Sequence, residues 1–147
     1  MINAKQCAAK YPGDQSSLKW QVQYMIMWDV PDDINNAIPA LPNKIYCNKD
    51  MVAPLEKAFR NLIAAGKASE LKTWDGCFNI RKVRGASSPS MHSWGVAIDV
   101  NAAWNGLNKI PQLSKAFVKS FKDAGFDWGG DWQRLDGMHF QLSTLGS

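Results

Sequence analysis

The stretch Ser90-Met91-His92-Ser93-Trp94-Gly95-Val96-Ala97-Ile98-Asp99-Val100-Asn101 divides by parity. In an extended chain alternate side chains share a face, so Trp94, Val96, Ile98 and Val100 lie on one side and Gly95, Ala97, Asp99 and Asn101 on the other. The first set is apolar and belongs in a core. The second stays small until it reaches a carboxylate and an amide, which leaves room beside Asp99 for an ion or a neighbouring backbone. His92 has core parity, so it shares a site with Asp99 only if it precedes the strand after a turn. Ser87-Ser88-Pro89-Ser90 has that turn chemistry, because proline biases its predecessor away from helix and serines hydrogen-bond locally.

Only two histidines occur in the chain. The second follows the turn signal Asp136-Gly137, after which Met138, Phe140 and Leu142 take one strand face and His139 and Gln141 the other. His92, Asp99 and His139, meeting from separate segments, would form a zinc site with three protein ligands and a fourth position open, the arrangement of a catalytic ion. Such an ion lowers the pKa of its water to about 7, and a nearby carboxylate can then accept and pass on the proton. Asp136 is the candidate base, and a plain Asp-Gly turn is the competing reading. Taken singly, each histidine reads as a structural or surface residue. The spacing of Ser90, His92, Gly95, Ala97 and Asp99 reverses those odds, since chance would produce it on the order of once in ten thousand such chains.

The rest of the chain sets bounds. At 147 residues and 46% hydrophobic content, one catalytic domain over 1–147 is expected, with a less specific N-terminal part at 1–42 and a motif-bearing core at 43–145. No basic start with an apolar run stands at the N-terminus, and no segment approaches the ~18 apolar residues of a membrane helix. Cys7, Cys47 and Cys77 are odd in number and far apart, which suits buried thiols better than a disulfide framework. The net charge of +4 comes from scattered residues, weak grounds for a nucleic-acid partner, although anionic wall material would be attracted equally well.

Residues 19–28 alternate in a way that suits a half-buried strand, with a helix as the alternative, and Pro31 to Pro42 reads as an extended connector. Val52, Leu55, Phe59, Leu62 and Ile63 have helical spacing, with Asp50 as the expected cap, Pro54 in the first turn and Gly66 at the end. A second helix is expected through Leu113, Phe117, Ser120, Phe121 and Ala124, closed by Gly125. Thr73 to Arg84 reads as strand and loop. Helices and short strands in no repeating order predict an α+β fold.

Ser90 to Asp99 and Asp136 to His139 together resemble the M15 zinc peptidases, whose motif is Ser-x-His-x-x-Gly-x-Ala-x-Asp followed by acid-x-x-His. The likeness extends from about Ile45 to Leu142. Gly76-Cys77-Phe78-Asn79-Ile80-Arg81, Arg84-Gly85 and Ala124 to Trp132 are similar to the phage endolysin branch, as is the aspartate at 136 where the D-Ala-D-Ala dipeptidases and carboxypeptidases carry glutamate. The resemblance implies a small antiparallel sheet flanked by helices, with the zinc site in a surface groove. It implies Zn2+ held by His92, Asp99 and His139, with Asp136 as general base. An arginine before the first histidine would hold a substrate carboxylate or the oxyanion, Arg81 first and Arg84 second. Ser90 either contacts substrate or orders its loop. Trp94 has core parity, whereas Trp128 and Trp132, around Gly129-Gly130, are candidates for the groove wall.

The expected activity is that of an endolysin cutting the L-Ala to D-Glu bond of the peptidoglycan stem peptide, as a monomer without membrane insertion. By the same resemblance it is made in a host cytoplasm and reaches the wall, in the periplasm, once the membrane is permeabilised. The rivals are a D-Ala-D-Ala carboxypeptidase, a catalytically dead zinc-stabilised binding module, and a DNA-binding protein favoured by charge alone.

Overall fold

The parity of the central stretch is present in the computed structural model, which describes residues 1–146. Trp94, Val96, Ile98 and Val100 are all buried, while the strand itself covers only Ala97–Val100. In chain order the elements are α1 (Ala4–Lys10), α2 (Leu18–Tyr24), β1 (Met25–Asp29), α3 (Asp32–Ala37), β2 (Lys44–Asn48) and α4 (Val52–Ala64). Then follow β3 (Trp74–Gly76), β4 (Ala97–Val100), α5 (Lys115–Lys122), β5 (Phe126–Trp128) and β6 (His139–Leu142). Strands β1 and β2 form a two-stranded antiparallel sheet, and the other four form a second antiparallel sheet in the order β3-β4-β6-β5. The fold is α+β, with small antiparallel sheets flanked by helices.

Helices α4 and α5 cover the apolar face of the larger sheet. Phe117 and Phe121 project from α5 onto Phe140 of β6, with the rings of Phe121 and Phe140 stacked at 4.4 Å between centroids. Phe59 of α4 closes the layer against Phe121 and Trp74, and Asn61 donates across the helix pair to the Ser120 carbonyl at 3.0 Å. Burying such rings removes well over 100 Å² of apolar surface each, the dominant stabilising term here. The two sheets are joined at Gly95. Its φ of 68° suits glycine, and a Cβ there would lie 2.9 Å from the Asn48 backbone nitrogen, which donates to the Gly95 carbonyl at 3.1 Å.

Three sequence expectations change. Residues 18–24 are helix rather than strand: Ser17 caps Trp20 through its hydroxyl, the Trp20 and Tyr24 rings meet one turn apart with centroids at 5.3 Å, and the strand begins only at Met25. The alternation in that stretch misleads because Val22 and Ile26 are exposed. The Pro31–Pro42 stretch is not an extended connector. It contains α3, with Asp32 and Asp33 in its first turn and Ile34, Ile38 and Leu41 buried. Finally, Asp50 does not cap α4. Asn48 caps a 3-10 turn over Lys49–Met51 that leads into the helix, and Asp50 instead accepts the Tyr11 hydroxyl at 2.7 Å.

The cysteines are buried and free as expected. Among the described residues no helix is long and apolar enough to cross a membrane.

Candidate metal centre

Register brings Asp99 of β4 directly opposite His139 of β6, and Ala97 opposite Gln141. Both pairs lie on the face away from the phenylalanine layer, because Phe140 and Leu142 take the other side of β6. His92 arrives as the sequence requires, from outside the strand. It sits in a 3-10 turn over Met91–Trp94 that Ser90 caps through its hydroxyl, and Gly95 then reverses the chain into β4.

The three groups converge with one ligand atom each, all within 4.8 Å of one another. His92 Nε2 is 3.2 Å from Asp99 Oδ2, and His139 Nδ1 is 3.5 Å from Asp99 Oδ1. Tetrahedral ligands at about 2.0–2.1 Å from an ion stand about 3.3–3.4 Å apart, so these separations suit one shared ion. His92 Nε2 and Asp99 Oδ1 are buried without a hydrogen-bond partner, an arrangement that is costly unless something else satisfies them. The outer nitrogens are already committed. His92 Nδ1 lies 2.7 Å from the Cys77 carbonyl, and His139 Nε2 lies 2.8 Å from Gln141 Oε1. With a proton on each outer nitrogen, the inner nitrogen of each ring keeps a lone pair for a cation. The donor set of two imidazoles and a carboxylate therefore fits a divalent metal.

Charge at the site follows from these contacts. Burial works against ionisation of Asp99, but His139 and His92 outweigh it and hold the carboxyl far below its usual range. Burial likewise opposes protonation of His139, yet the carboxylates of Asp99 and Asp136 raise its pKa overall. Asp136 moves upward, chiefly through burial and also through Asp99, against the pull of His139, His92 and Arg81. Its Oδ2 stands 3.9 Å from His139 Nδ1. The turn that carries it is fixed at both ends: the Asp136 amide donates to the Gly129 carbonyl at 3.0 Å, and the Trp128 indole donates to the Gly137 carbonyl at 2.8 Å.

A groove of about 600 Å³ opens over the centre, within the usual range for small-molecule and peptide sites. Residues 84–142 match the family described as D-alanyl-D-alanine carboxypeptidase, in the M15 peptidases. The match covers less than half of the chain and shows that these residues are similar to the M15 peptidases. It covers all three metal-ligand candidates and Asp136; the stretch from Ile45 to Val83, over which the likeness was expected to extend, lies outside it. Comparisons with curated proteins and with solved structures gave no match.

The M15 expectations can be placed residue by residue. Arg81, Arg84, Ser90 and Trp132 all line the groove. The Arg81 backbone is held by Ser93, whose hydroxyl donates to its carbonyl at 3.0 Å, while Arg84 is exposed and its carbonyl accepts from the Arg134 guanidinium. Ser90 orders the loop through its cap and also faces the groove. The ring of Trp132 lies 5.2 Å from that of His139. Trp128 is not part of this groove; it stacks beside Phe140 and braces the Gly137 carbonyl. Asn101, placed with Asp99 by parity, leaves the strand with φ 53° and turns inward, where it accepts from Lys72 and Thr73 and donates to Glu70.

Sequence reasoning missed several contributors. The N-terminal residues Ile2 and Lys5 form part of the groove wall, with Arg134 and Met138, and no local pattern announces such a long-range approach. Helix α1 reaches the site by packing on the 3-10 turn, where Cys7 Sγ lies 3.7 Å from Met91 Sδ. The Cys77 contact to His92 uses a backbone carbonyl, which side-chain chemistry cannot reveal. Gln141 was legible: it shares strand parity with His139.

Proposed function

We propose that this chain is a zinc-dependent peptidase that hydrolyses the L-Ala to D-Glu bond of the peptidoglycan stem peptide, an endolysin activity. The observation that carries the reading is the meeting of His92, Asp99 and His139 in an open groove with Asp136 at 3.9 Å from His139 Nδ1. Those three residues would hold a zinc ion, which would supply an acidified water and Lewis acidity toward the scissile carbonyl. Asp136, with its pKa raised by burial, takes the proton and returns it to the leaving amine. Arg81, on the groove wall and near enough to act on the charge of Asp136, holds the oxyanion or a substrate carboxylate.

The groove wall supports an acidic peptide as substrate. Lys5, Arg81, Arg84 and Arg134 line it, and its two acidic residues, Asp99 and Asp136, are both at the metal centre. Stem peptides carry several carboxylates, which such a wall attracts. Ser90, Arg84 and Trp132 are the substrate-contacting residues in this reading. The chain acts as one catalytic domain over 1–147, as a monomer, on the wall after the membrane has been permeabilised.

The second reading, a D-Ala-D-Ala carboxypeptidase, is favoured by the description of the matched family. Digesting purified peptidoglycan and identifying the new termini by mass spectrometry separates the two. New D-glutamyl amino ends are expected; release of free D-alanine would overturn the endopeptidase assignment in favour of the carboxypeptidase. No cleavage by the zinc-loaded protein would instead favour a zinc-stabilised binding module.

A further inference from the structure

Gln141 is 3% exposed, on the groove face of β6, two residues after His139 and opposite Ala97 in the ladder. The small Ala97 side chain leaves space for it above the sheet. Its Oε1 lies 2.8 Å from His139 Nε2. Amide oxygen and nitrogen are distinguished by what they must bind. His139 turns Nδ1 toward Asp99 and Asp136, so a cation there requires the imidazole proton on Nε2, and an N–H in that position needs an acceptor. The oxygen of Gln141 therefore faces the ring. Its amide nitrogen donates to no group among the described residues, although Gln141 lines the groove.

From this geometry we infer that Gln141 has two roles: its oxygen positions His139 as an Nδ1 metal ligand, and its amide nitrogen, thereby turned outward, donates a hydrogen bond to a backbone carbonyl of the bound peptide. The first role acts through His139 and the second on substrate. The inference rests on the metallopeptidase reading of the site. It extends that reading by tying substrate grip to ligand orientation in one side chain.

Two variants separate the roles. Gln141→Leu removes both the acceptor and the donor, whereas Gln141→Glu keeps an acceptor oxygen for His139 and loses the donor. Zinc affinity, measured by competition with a chromophoric chelator, is expected to fall about 10- to 100-fold in Gln141→Leu and to equal or exceed wild type in Gln141→Glu. For the glutamate variant, KM for a synthetic stem peptide is expected to rise about three- to tenfold, the scale of one hydrogen bond. In zinc-loaded wild type, nitrogen NMR is expected to show a slowly exchanging His139 Nε2–H, and that protection is lost in Gln141→Leu. Wild-type zinc affinity in a folded Gln141→Leu protein, or an unprotected Nε2–H in zinc-loaded wild type, overturns the positioning role. An unchanged KM in Gln141→Glu overturns the donor role. Failure of the wild-type protein to bind zinc would instead count against the metallopeptidase reading itself.

Discussion

Asp99 and His139 are cross-strand partners in the β4-β6 ladder, with Asp99 Oδ1 3.5 Å from His139 Nδ1. Without a cation the pair is a carboxylate beside an imidazole whose proton it favours; with one, both atoms become ligands. Binding metal therefore means displacing a proton from His139.

That exchange gives the metal-free and metal-loaded proteins different pH responses. The folded pKa of Asp99 is depressed, so its contribution to stability is present above about pH 4 and lost as pH falls through the folded value. The folded pKa of His139 is raised, so its contribution is full below about pH 6.5 and lost as pH rises through the folded value. Of these two groups, the metal-free protein gains most between those limits. The increase in Tm produced by zinc over a chelator control should shrink steadily as pH falls from 8 to 5. A pH-independent increase would mean that His139 is not a ligand.

Asp136→Asn is expected to lower kcat by about 10²- to 10⁴-fold while zinc stays bound, the range for loss of a general base. The same change should raise the Tm of the metal-free protein at pH 7. Burial lifts the Asp136 pKa, so its stabilising effect is lost as pH rises through the folded value and its ionised form burdens the fold at neutrality. Activity assays, zinc content and melting curves on one preparation check all three points. Unchanged hydrolysis would remove Asp136 from the chemistry.

Gly129→Ala tests how the base is held. A Cβ at Gly129 would collide with the Asp136 carbonyl oxygen and crowd its Cβ, so the loop must shift and carry the carboxylate with it. Overpacking of this kind costs about 1–3 kcal/mol. The expected signature is a fall in kcat with zinc affinity near wild type, because none of His92, Asp99 and His139 is on that loop. Loss of zinc binding in parallel would show that the loop also supports the ligands.

The thiols supply an independent check on the core. Burial pushes Cys7 up to about 11 and Cys47 up to about 12, and raises Cys77 as well. None should react with an aromatic disulfide reagent at pH 8 until the protein unfolds, since the thiolate is the nucleophile. Raised folded values also mean that unfolded thiols ionise first as pH climbs past about 8.5, so stability should decline from there toward pH 12. Rapid labelling of native protein would contradict the packing around them.

How far the sequence foretold this molecule depended on how local the deciding interaction was. The faces of β4 and β6 were readable because parity is local, and Asp99 and His139 lie on their polar side. Helices α4 and α5 were readable because their apolar spacing spans two turns or more. The strand expected at 19–28 failed where a single serine cap and the Trp20–Tyr24 contact outweighed alternation. The connector at 31–42 failed because Pro31, Pro39 and Pro42 obscured the spacing of Ile34 and Ile38. The candidate metal-ligand cluster was legible in its motif, whereas the walls around it were not. Ile2 and Lys5 reach the groove from more than eighty residues before His92, and that proximity belongs to the tertiary fold alone.

Within His139–Leu142, chemistry and packing alternate residue by residue: His139 and Gln141 serve the groove, Phe140 and Leu142 the core. A one-residue insertion between His139 and Phe140 would exchange the faces of the residues that follow, driving the Gln141 amide into the aromatic layer and setting phenylalanine beside the metal-ligand candidates. Such a lesion cannot be repaired by adjusting one side alone. Length changes should therefore be absent from this strand in any functional variant library, even where many of its individual substitutions survive, and deep insertional scanning would read this as a four-residue gap between tolerant flanks.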